Sequence, residues 1–375
     1  MRKNLNYVSY FLILTVFASF CVEKIWESHF LVASTQVGNK ELMQKEDDYI
    51  IPTYQFTNGQ KLENLKIHYA TLGHPTKNDS NEIDNAVLIL HWTGASGAAM
   101  LSEDFKTHLY ALEKPLDATK YFLIFPDNVG HGQSSEPSDG LQSDFPEYNY
   151  QDMVDLQYRL ITEKLKIPHL KVILGTSMGG MHTWLWSINY PTFMDGIMPI
   201  VSLPTKITGR NLLWRQAIIS AIKSDPEWRN GKYTKQPYSL MATWPFARTL
   251  LDGVPHLAYI VNNTASAISF IEEAQLEAAK KDANDLIYVL NASRDYDPET
   301  HLKTIQTQVF ALDFTDDQLD PFQLEVLPDL IKQVKHGKAV IQEGSKNSYG
   351  HLTMAHPDLW EDQVKTFLLQ IQKKF

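Results

Sequence analysis

A serine flanked by small residues follows a short apolar run near the middle of the chain. The stretch Gly175-Thr-Ser-Met-Gly179 fits the pattern G-x-S-x-G, between a predicted strand at residues 172–174 and a predicted helix at 181–190. A serine on a tight turn from strand to helix has strained backbone angles, so small residues must flank it. Its hydroxyl then lies above the sheet edge, at the positive end of a helix dipole. We therefore predict that Ser177 is a nucleophile, in preference to an ordinary glycine-rich turn.

A serine hydroxyl is inert at neutral pH unless an adjacent base takes its proton. The base is expected to be a histidine late in the chain. His351 fits, because it follows Gly350 in a loop after the last predicted strand and can project from that loop. His356 is the nearby alternative, but Pro357 follows it, and we assign it to the start of the last helix.

The base needs an acid that lies between serine and histidine in sequence, just after a strand. Asp317 is the first choice and Asp316 the second, because Leu319 and Pro321 mark a turn into the next helix. Spacing alone does not separate Asp317 from a solvated turn residue. The predicted strand at 307–312 is followed by four aspartates, namely Asp313, Asp316, Asp317 and Asp320.

A third requirement is a pair of N–H groups for the oxyanion that develops on the substrate. One should be the backbone N–H of Met178, directly after the nucleophile. The other should come from the loop at 91–97, after the apolar run 86–90. Thr93 is the first candidate there, and Trp92 is the alternative because the register of this loop is open by one residue.

Short apolar runs separated by helical stretches provide the frame for these residues. Such alternation is what a mostly parallel sheet covered by helices on both faces requires. Residues 154–166 have apolar positions at helical spacing, and 357–375 predict a closing amphipathic helix. Residues 205–300 are helix-like without a convincing strand, which predicts a helical cap inserted over the site. The predicted strands are 49–56, 65–71, 86–90, 121–125, 171–174, 196–201, 307–313 and 338–342.

The first 34 residues read as a targeting segment. Arg2 and Lys3 precede an uncharged, largely apolar stretch at 4–22, which is the form of a secretory signal peptide. An uncleaved N-terminal membrane anchor is the alternative, and a buried first helix is a third interpretation. We therefore divide the chain into residues 1–34 and one domain at 35–375, and expect an exported protein.

The composition of the chain argues against several classes of partner and cofactor. The chain has 375 residues, with 34 Lys and Arg against 44 Asp and Glu, a net charge of −10. This balance argues against nucleic acid as a partner, and a membrane is expected only through the N-terminal segment. The single cysteine, Cys21, lies in that segment, so no intrachain disulfide is expected. His131 lacks a partner at metal-ligand spacing, and we expect neither a metal nor another cofactor.

These motifs together resemble the α/β-hydrolase superfamily and, within it, the homoserine O-acetyltransferase-like branch. The resemblance covers about residues 50–372 and implies the α/β-hydrolase fold. It supports Ser177, Asp317 and His351 as nucleophile, acid and base, and it favours Asp317 over Asp316. The matching stretches are Gly175-Thr-Ser-Met-Gly-Gly-Met181, Tyr190-Pro191, Arg210-Asn-Leu with Trp214-Arg-Gln-Ala-Ile218, Asp225-Pro226 with Gly231-Lys-Tyr233, Asp317-Gln-Leu, and Tyr349-Gly-His351.

One loop departs from the acetyltransferase pattern. Residues 127–135 read Asp-Asn-Val-Gly-His-Gly-Gln-Ser-Ser, as in ordinary α/β-hydrolases. Together with the expected export, this favours a serine hydrolase that acts on an ester or related acyl substrate through an acyl-enzyme. Acyl transfer from acetyl-CoA to an alcohol such as homoserine is the alternative, and a scaffold that binds without catalysis is a third hypothesis.

Two arginines in the predicted cap are candidates for contact with substrate. Arg215 and Arg210 could bind a substrate carboxylate, since a guanidinium matches its geometry, or they could tie the cap to the core. The expected partner is a small acyl substrate. The sequence leaves the oligomeric state open, with a homodimer as one option.

Overall fold

An eight-stranded β-sheet forms the centre of the computed structural model, which describes residues 43–372. Its strand order is β1-β2-β4-β3-β5-β6-β7-β8. The β1–β2 and β2–β4 pairs are antiparallel, and the remaining pairs are parallel. The predicted α/β-hydrolase fold is thereby confirmed. The strands are β1 (Gln44–Gln55), β2 (Lys61–Leu72), β3 (Ala86–Leu90), β4 (Phe122–Pro126), β5 (Leu170–Thr176), β6 (Met194–Ile200), β7 (Gln308–Phe314) and β8 (Gly337–Gln342).

Helices bury the apolar residues of the central strands. All five residues of β3 are buried, as expected for a parallel strand covered on both faces. Trp184 and Trp186 of α3 pack into the same apolar cluster as Leu88, whereas Phe367 of α10 lies against Gly196 of β6. The helices are α1 (Glu103–Phe105), α2 (Tyr150–Arg159), α3 (Met178–Asn189), α4 (Gly209–Ser224), α5 (Tyr238–Leu251), α6 (Val254–Ile260), α7 (Thr264–Ala278), α8 (Ala283–Asn291), α9 (Pro321–Leu330) and α10 (Glu361–Gln372).

Helices α4 to α8 lie between β6 and β7, in the segment predicted as a cap. The described chain contains no strand between these two. Residues of α4, α5, α7 and α8 form an apolar cluster in which Trp214, Trp244 and Leu286 are buried, together with Leu319 from the loop after β7. This cluster contains no residue of a strand, and helices α4–α8, hereafter the cap, form a second layer of packing.

Two predicted helices are each divided into two pieces. The helix predicted at 154–166 is α2 followed by a π-helical turn at Leu160–Lys164, and the closing helix begins at Glu361 after a separate 3-10 turn at Pro357–Leu359. No helix between residues 43 and 372 has both the length and the apolar character of a membrane span. The predicted signal peptide at 1–34, with Cys21, lies outside the described residues.

Candidate active site

Ser177 occupies the single position between β5, which ends at Thr176, and α3, which begins at Met178. Its φ is 50° and its ψ is −112°, a strained conformation for a residue with a side chain. Two backbone hydrogen bonds hold it there, since its N–H donates to Ile200 and its carbonyl accepts from Met181, both at 2.9 Å. The strain is therefore fixed by the β6 strand on one side and by the first turn of α3 on the other.

The glycines beside Ser177 are required by close packing. A Cβ on Gly179 would overlap the carbonyl oxygen of Leu90 at the end of β3. A Cβ on Gly175 would likewise overlap the carbonyl of Gly179. The first turn of α3 can approach β3 and β5 this closely only without those side chains, which gives the G-x-S-x-G pattern its physical reason here.

The structure brings Ser177, His351 and Asp317 together in one chain of hydrogen bonds. Ser177 Oγ lies 2.9 Å from His351 Nε2, and His351 Nδ1 lies 2.6 Å from Asp317 Oδ2. All three are buried, with Ser177 only 5% exposed. His351 stands in the 3-10 turn Gly350–Ala355, where Gly350 has a φ of 57°. With Nδ1–H donating to the carboxylate, Nε2 is free to accept the serine proton.

The two adjacent aspartates point to different partners. Asp317 Oδ1 accepts the N–H of Leu319 at 2.8 Å, which fixes the carboxylate that faces His351. Asp316 Oδ2 instead accepts the hydroxyl of Ser348 at 2.7 Å and the N–H of Gly350 at 3.1 Å. Asp317 is thus the one of the two that contacts the imidazole, and Asp316 holds the turn that precedes it.

Electrostatics favour a proton on His351. Burial lowers the pKa of this imidazole, but the charge and hydrogen bond of Asp317, aided by the charge of Asp320, outweigh burial and raise the pKa above its ordinary value. A buried carboxylate next to the ring stabilises the imidazolium that forms when it takes a proton. The site is therefore arranged to accept a proton from Ser177 and to hold it.

The two predicted oxyanion donors lie at the same edge of the sheet as Ser177. Met178 is the first residue of α3, so its N–H has no acceptor within the helix. Thr93 lies in the loop that follows β3, and its buried hydroxyl has no hydrogen-bond partner among the described residues. The carbonyl of Trp92 accepts a hydrogen bond from His91 Nδ1, which holds the backbone of Trp92 in place. The assignment of Thr93, in preference to Trp92, as the second oxyanion donor therefore stays a prediction.

A buried polar network supports this loop, and the sequence reasoning missed it. His91 Nδ1 donates to the Trp92 carbonyl at 2.9 Å, while its Nε2 accepts from the side-chain amide of Asn128 at 3.0 Å. Gln157 donates to Asn128 Oδ1 at 2.6 Å and so continues the network into α2. Burial lowers the pKa of His91, in keeping with a neutral ring that donates at one nitrogen and accepts at the other.

Asp127, which directly follows β4, also holds the loop that contains Thr93. Its Oδ1 accepts the N–H of Gly97 at 2.6 Å and its Oδ2 accepts the N–H of Gln133 at 2.8 Å. The segment 127–135, where the sequence departs from the acetyltransferase pattern, therefore contacts the loop that contains Thr93. The signal that could have revealed this role is the acidic residue directly after a buried strand.

Both predicted cap arginines contact protein groups. Arg215 is buried, and it donates from Nε to Asn211 Oδ1 at 2.8 Å and from a terminal nitrogen to the carbonyl of Leu290 at 3.4 Å. Arg210 is exposed and donates to Gln318 Oε1 at 3.0 Å, in the segment after β7. Arg210 thus joins the cap to the loop that contains Asp317.

Two groups of described side chains bring potential metal ligands within 4.8 Å of one another. One is Asp104, His356 and Asp358, and the other is Asp317, Asp320 and His351. In the second group both imidazole nitrogens of His351 already have hydrogen-bond partners. That group is therefore better explained as part of the serine site than as a cation site.

Comparisons with known proteins agree with this architecture. Residues 85–245 match the family described as alpha/beta hydrolase fold. A probable acyltransferase of Methanothermobacter thermautotrophicus is 28% identical over 281 residues, which cover 74% of this chain and 84% of that protein. A homoserine O-acetyltransferase of Desulfotalea psychrophila is 27% identical over 354 residues, covering 80% and 87%. The crystal structure of esterase E22 superposes with a TM-score of 0.75 at 20% identity, covering 87% of this chain and all of that one.

Proposed function

We propose that the chain is a serine hydrolase of the α/β-hydrolase superfamily, similar to the homoserine O-acetyltransferase-like branch. It would cleave an ester or related acyl substrate through an acyl-enzyme. The observation that carries the proposal is the continuous chain from Ser177 Oγ through His351 to Asp317, at 2.9 and 2.6 Å. A buried serine, imidazole and carboxylate in this order form the arrangement that activates a hydroxyl for attack on a carbonyl carbon.

In the proposed first half-reaction, Ser177 Oγ attacks the acyl carbon and its proton passes to His351 Nε2. The N–H groups of Met178 and Thr93 receive the oxyanion of the tetrahedral intermediate. When the intermediate collapses, His351 gives the proton to the leaving alcohol and the acyl group remains on Ser177. Water then attacks the acyl-enzyme with His351 again as base, which releases the carboxylic acid and restores the serine.

A second candidate differs only in the acceptor. The relatives named as acyltransferases match most of this chain, and they favour transfer of the acyl group to an alcohol such as homoserine in place of water. The acyl-enzyme chemistry of Ser177 is common to both candidates. The acceptor is decided by how the cap excludes water and positions a second substrate.

Labelling and turnover distinguish these candidates. A fluorophosphonate probe should label the protein, and Ser177→Ala should abolish the labelling. Ser202→Ala is the matched control, because Ser202 is also buried and lies beside Gly180, where its loss should leave labelling intact. Absence of labelling in the unmodified protein would refute the nucleophile assignment.

The acyl preference and the acceptor follow from two assays on the unlabelled protein, since the probe blocks Ser177. A panel of acyl esters of increasing chain length reports hydrolysis and acyl preference together. Incubation with acetyl-CoA and homoserine reports transfer, and CoA release that exceeds hydrolysis would replace the hydrolase proposal with the acyltransferase candidate.

A further inference from the structure

A second buried carboxylate lies beside the imidazole of His351. Asp320 directly precedes α9, in the loop that follows β7, and it is 3% exposed. Polar atoms of Asp317, Asp320 and His351 all lie within 4.8 Å of one another. The hydrogen-bonded triad uses one carboxylate, so the role of the other has to be explained separately.

The cap, and not the core, supplies the side-chain hydrogen bonds to Asp320. Asn211 of α4 donates from Nδ2 to both carboxylate oxygens, at 2.9 and 3.2 Å. The other end of the same amide accepts from Arg215 Nε at 2.8 Å, so the amide is oriented by a cation on one side and by a carboxylate on the other. Both Asn211 and Arg215 are buried. The cap thus reaches Asp320 through the Asn211 amide, while the charge of Arg215 also acts on His351 and lowers its pKa.

We propose, on the basis of the proposed function, that Asp320 is a positioning residue of the Ser177 site, and that the cap controls through Asn211 the negative charge that Asp320 places beside His351. Asp320 contacts no reacting atom in this arrangement. It acts on the base, because a carboxylate close to an imidazole favours the imidazolium form.

The groups around Asp320 make its charge adjustable near neutral pH. Burial and the charge of Asp317 raise the pKa of Asp320 to about 6, while His351, the Asn211 hydrogen bond and Arg215 act in the opposite direction. Loss of the Asn211 hydrogen bond would raise that pKa further, since the bond stabilises the charged form. Asn211 therefore keeps Asp320 charged at a lower pH than burial alone would allow, and so sustains its effect on His351.

A nearby carboxyl group provides a matched control. Asp313 at the end of β7 is equally buried, and burial with the charge of Asp317 raises its pKa well above the ordinary range. Its Oδ1 accepts the N–H of Phe314 at 2.9 Å, so this carboxyl is held by its own strand and has no hydrogen bond from Asn211. Asp320→Asn is the same chemical change as Asp313→Asn, at the position that the proposal names.

The test is the pH dependence of the rate of fluorophosphonate labelling. The rate falls at low pH as His351 becomes protonated, and this fall is hereafter the acid limb. We expect the acid limb of Asp320→Asn to move to lower pH. When each labelling rate is divided by its plateau value at higher pH, the variant should exceed the unmodified protein by roughly threefold at about pH 6. Asn211→Ala should move the limb in the same direction, and it gives a second reading if Asp320→Asn does not fold. Asp313→Asn should leave the limb where it is.

Two results would overturn the proposal, and they are distinguishable. If Asp320→Asn and Asn211→Ala lower the plateau but leave the limb in place, the Asn211–Asp320 contact only ties the cap to the core. If the unmodified protein shows no labelling at all, the proposed function fails and this inference fails with it.

Discussion

Replacing Asp317 with asparagine tests the arrangement of the site most directly. Asparagine keeps the size of the side chain but removes its charge and places an amide where the carboxylate accepts from His351 Nδ1 at 2.6 Å. The Leu319 N–H to Oδ1 contact can survive on the amide oxygen. If that oxygen is so held, the NH₂ group faces Nδ1, and Nδ1 must then accept a hydrogen bond where it now donates one. The imidazole is expected to shift to the tautomer that carries its hydrogen on Nε2, where it cannot take the proton of Ser177.

The magnitude follows from burial. His351 and Asp317 are 2% and 1% exposed, so solvent cannot replace the lost countercharge of the imidazolium. Removal of one member of a buried, hydrogen-bonded charge pair costs about 3–5 kcal/mol. When this loss falls on the transition state, it corresponds to a decrease in kcat of about 10² to 10⁴. Binding of substrate does not involve this pair, so KM should change far less than kcat.

The assay is hydrolysis of an activated acetyl ester, with Ser177→Ala as the background rate. Asp316→Asn is the matched control, because it is the neighbouring buried carboxylate and contacts Ser348 and Gly350 instead of His351. We expect that variant to retain kcat within about tenfold, since it disturbs only the turn before the base. Circular dichroism and thermal unfolding establish that both variants are folded.

Two outcomes would refute this reasoning. If folded Asp317→Asn keeps its rate within tenfold of the unmodified enzyme, the carboxylate does not stabilise the imidazolium. If Asp316→Asn loses as much activity as Asp317→Asn, the assignment of the acid by its contact with His351 is wrong.

Three further predictions concern the scaffold around the site. Gly179→Ala should lower the free energy of unfolding by about 1–3 kcal/mol in urea titration, because its Cβ would overlap the Leu90 carbonyl; unchanged stability would contradict the tight elbow. Asp127→Ala should reduce kcat about tenfold or more without moving the acid limb, because the Gly97 N–H loses its acceptor and the oxyanion loop is displaced; a shifted limb would argue instead for an effect on the base. Burial raises the pKa of Glu136 from 4.5 to about 7, so its ionisation is penalised in the folded state and stability is lost as pH rises between these values. The stability advantage of Glu136→Gln over the unmodified protein should therefore grow by about 1 kcal/mol from about pH 5 to about pH 8, a figure reduced for solvent screening of a half-buried group. A stability difference that stays constant over this range would contradict the prediction.

The parts of the site that depend on local geometry could be predicted from the sequence. The strand, the serine between small residues and the following helix lie within a few positions of one another, and each is a requirement of the same turn. The predicted fold class is confirmed for a similar reason, because buried parallel strands read as continuous apolar runs. The predicted leader at 1–34 lies outside the described residues and stays a prediction.

The parts that depend on distant contacts could not be predicted. Asp316 and Asp317 are adjacent, and only the folded loop shows that their carboxylates face different partners. The contact between Asn211 and Asp320 joins residues 109 positions apart, so spacing carries no signal for it. The network of His91 and Asn128 was missed because each residue alone is compatible with an ordinary buried polar side chain.

The position of the cap in the chain has an evolutionary consequence. The segment leaves the sheet after β6 and returns to it at β7, and these two strands are hydrogen-bonded neighbours. The ends of the excursion are therefore fixed by the sheet, and the entropy of closing such a loop depends only weakly on its length. Insertions, deletions or exchange of the whole segment can accumulate without shifting the register of any strand. The part of the molecule that covers the site can thus diversify on a timescale separate from that of the core that carries Ser177.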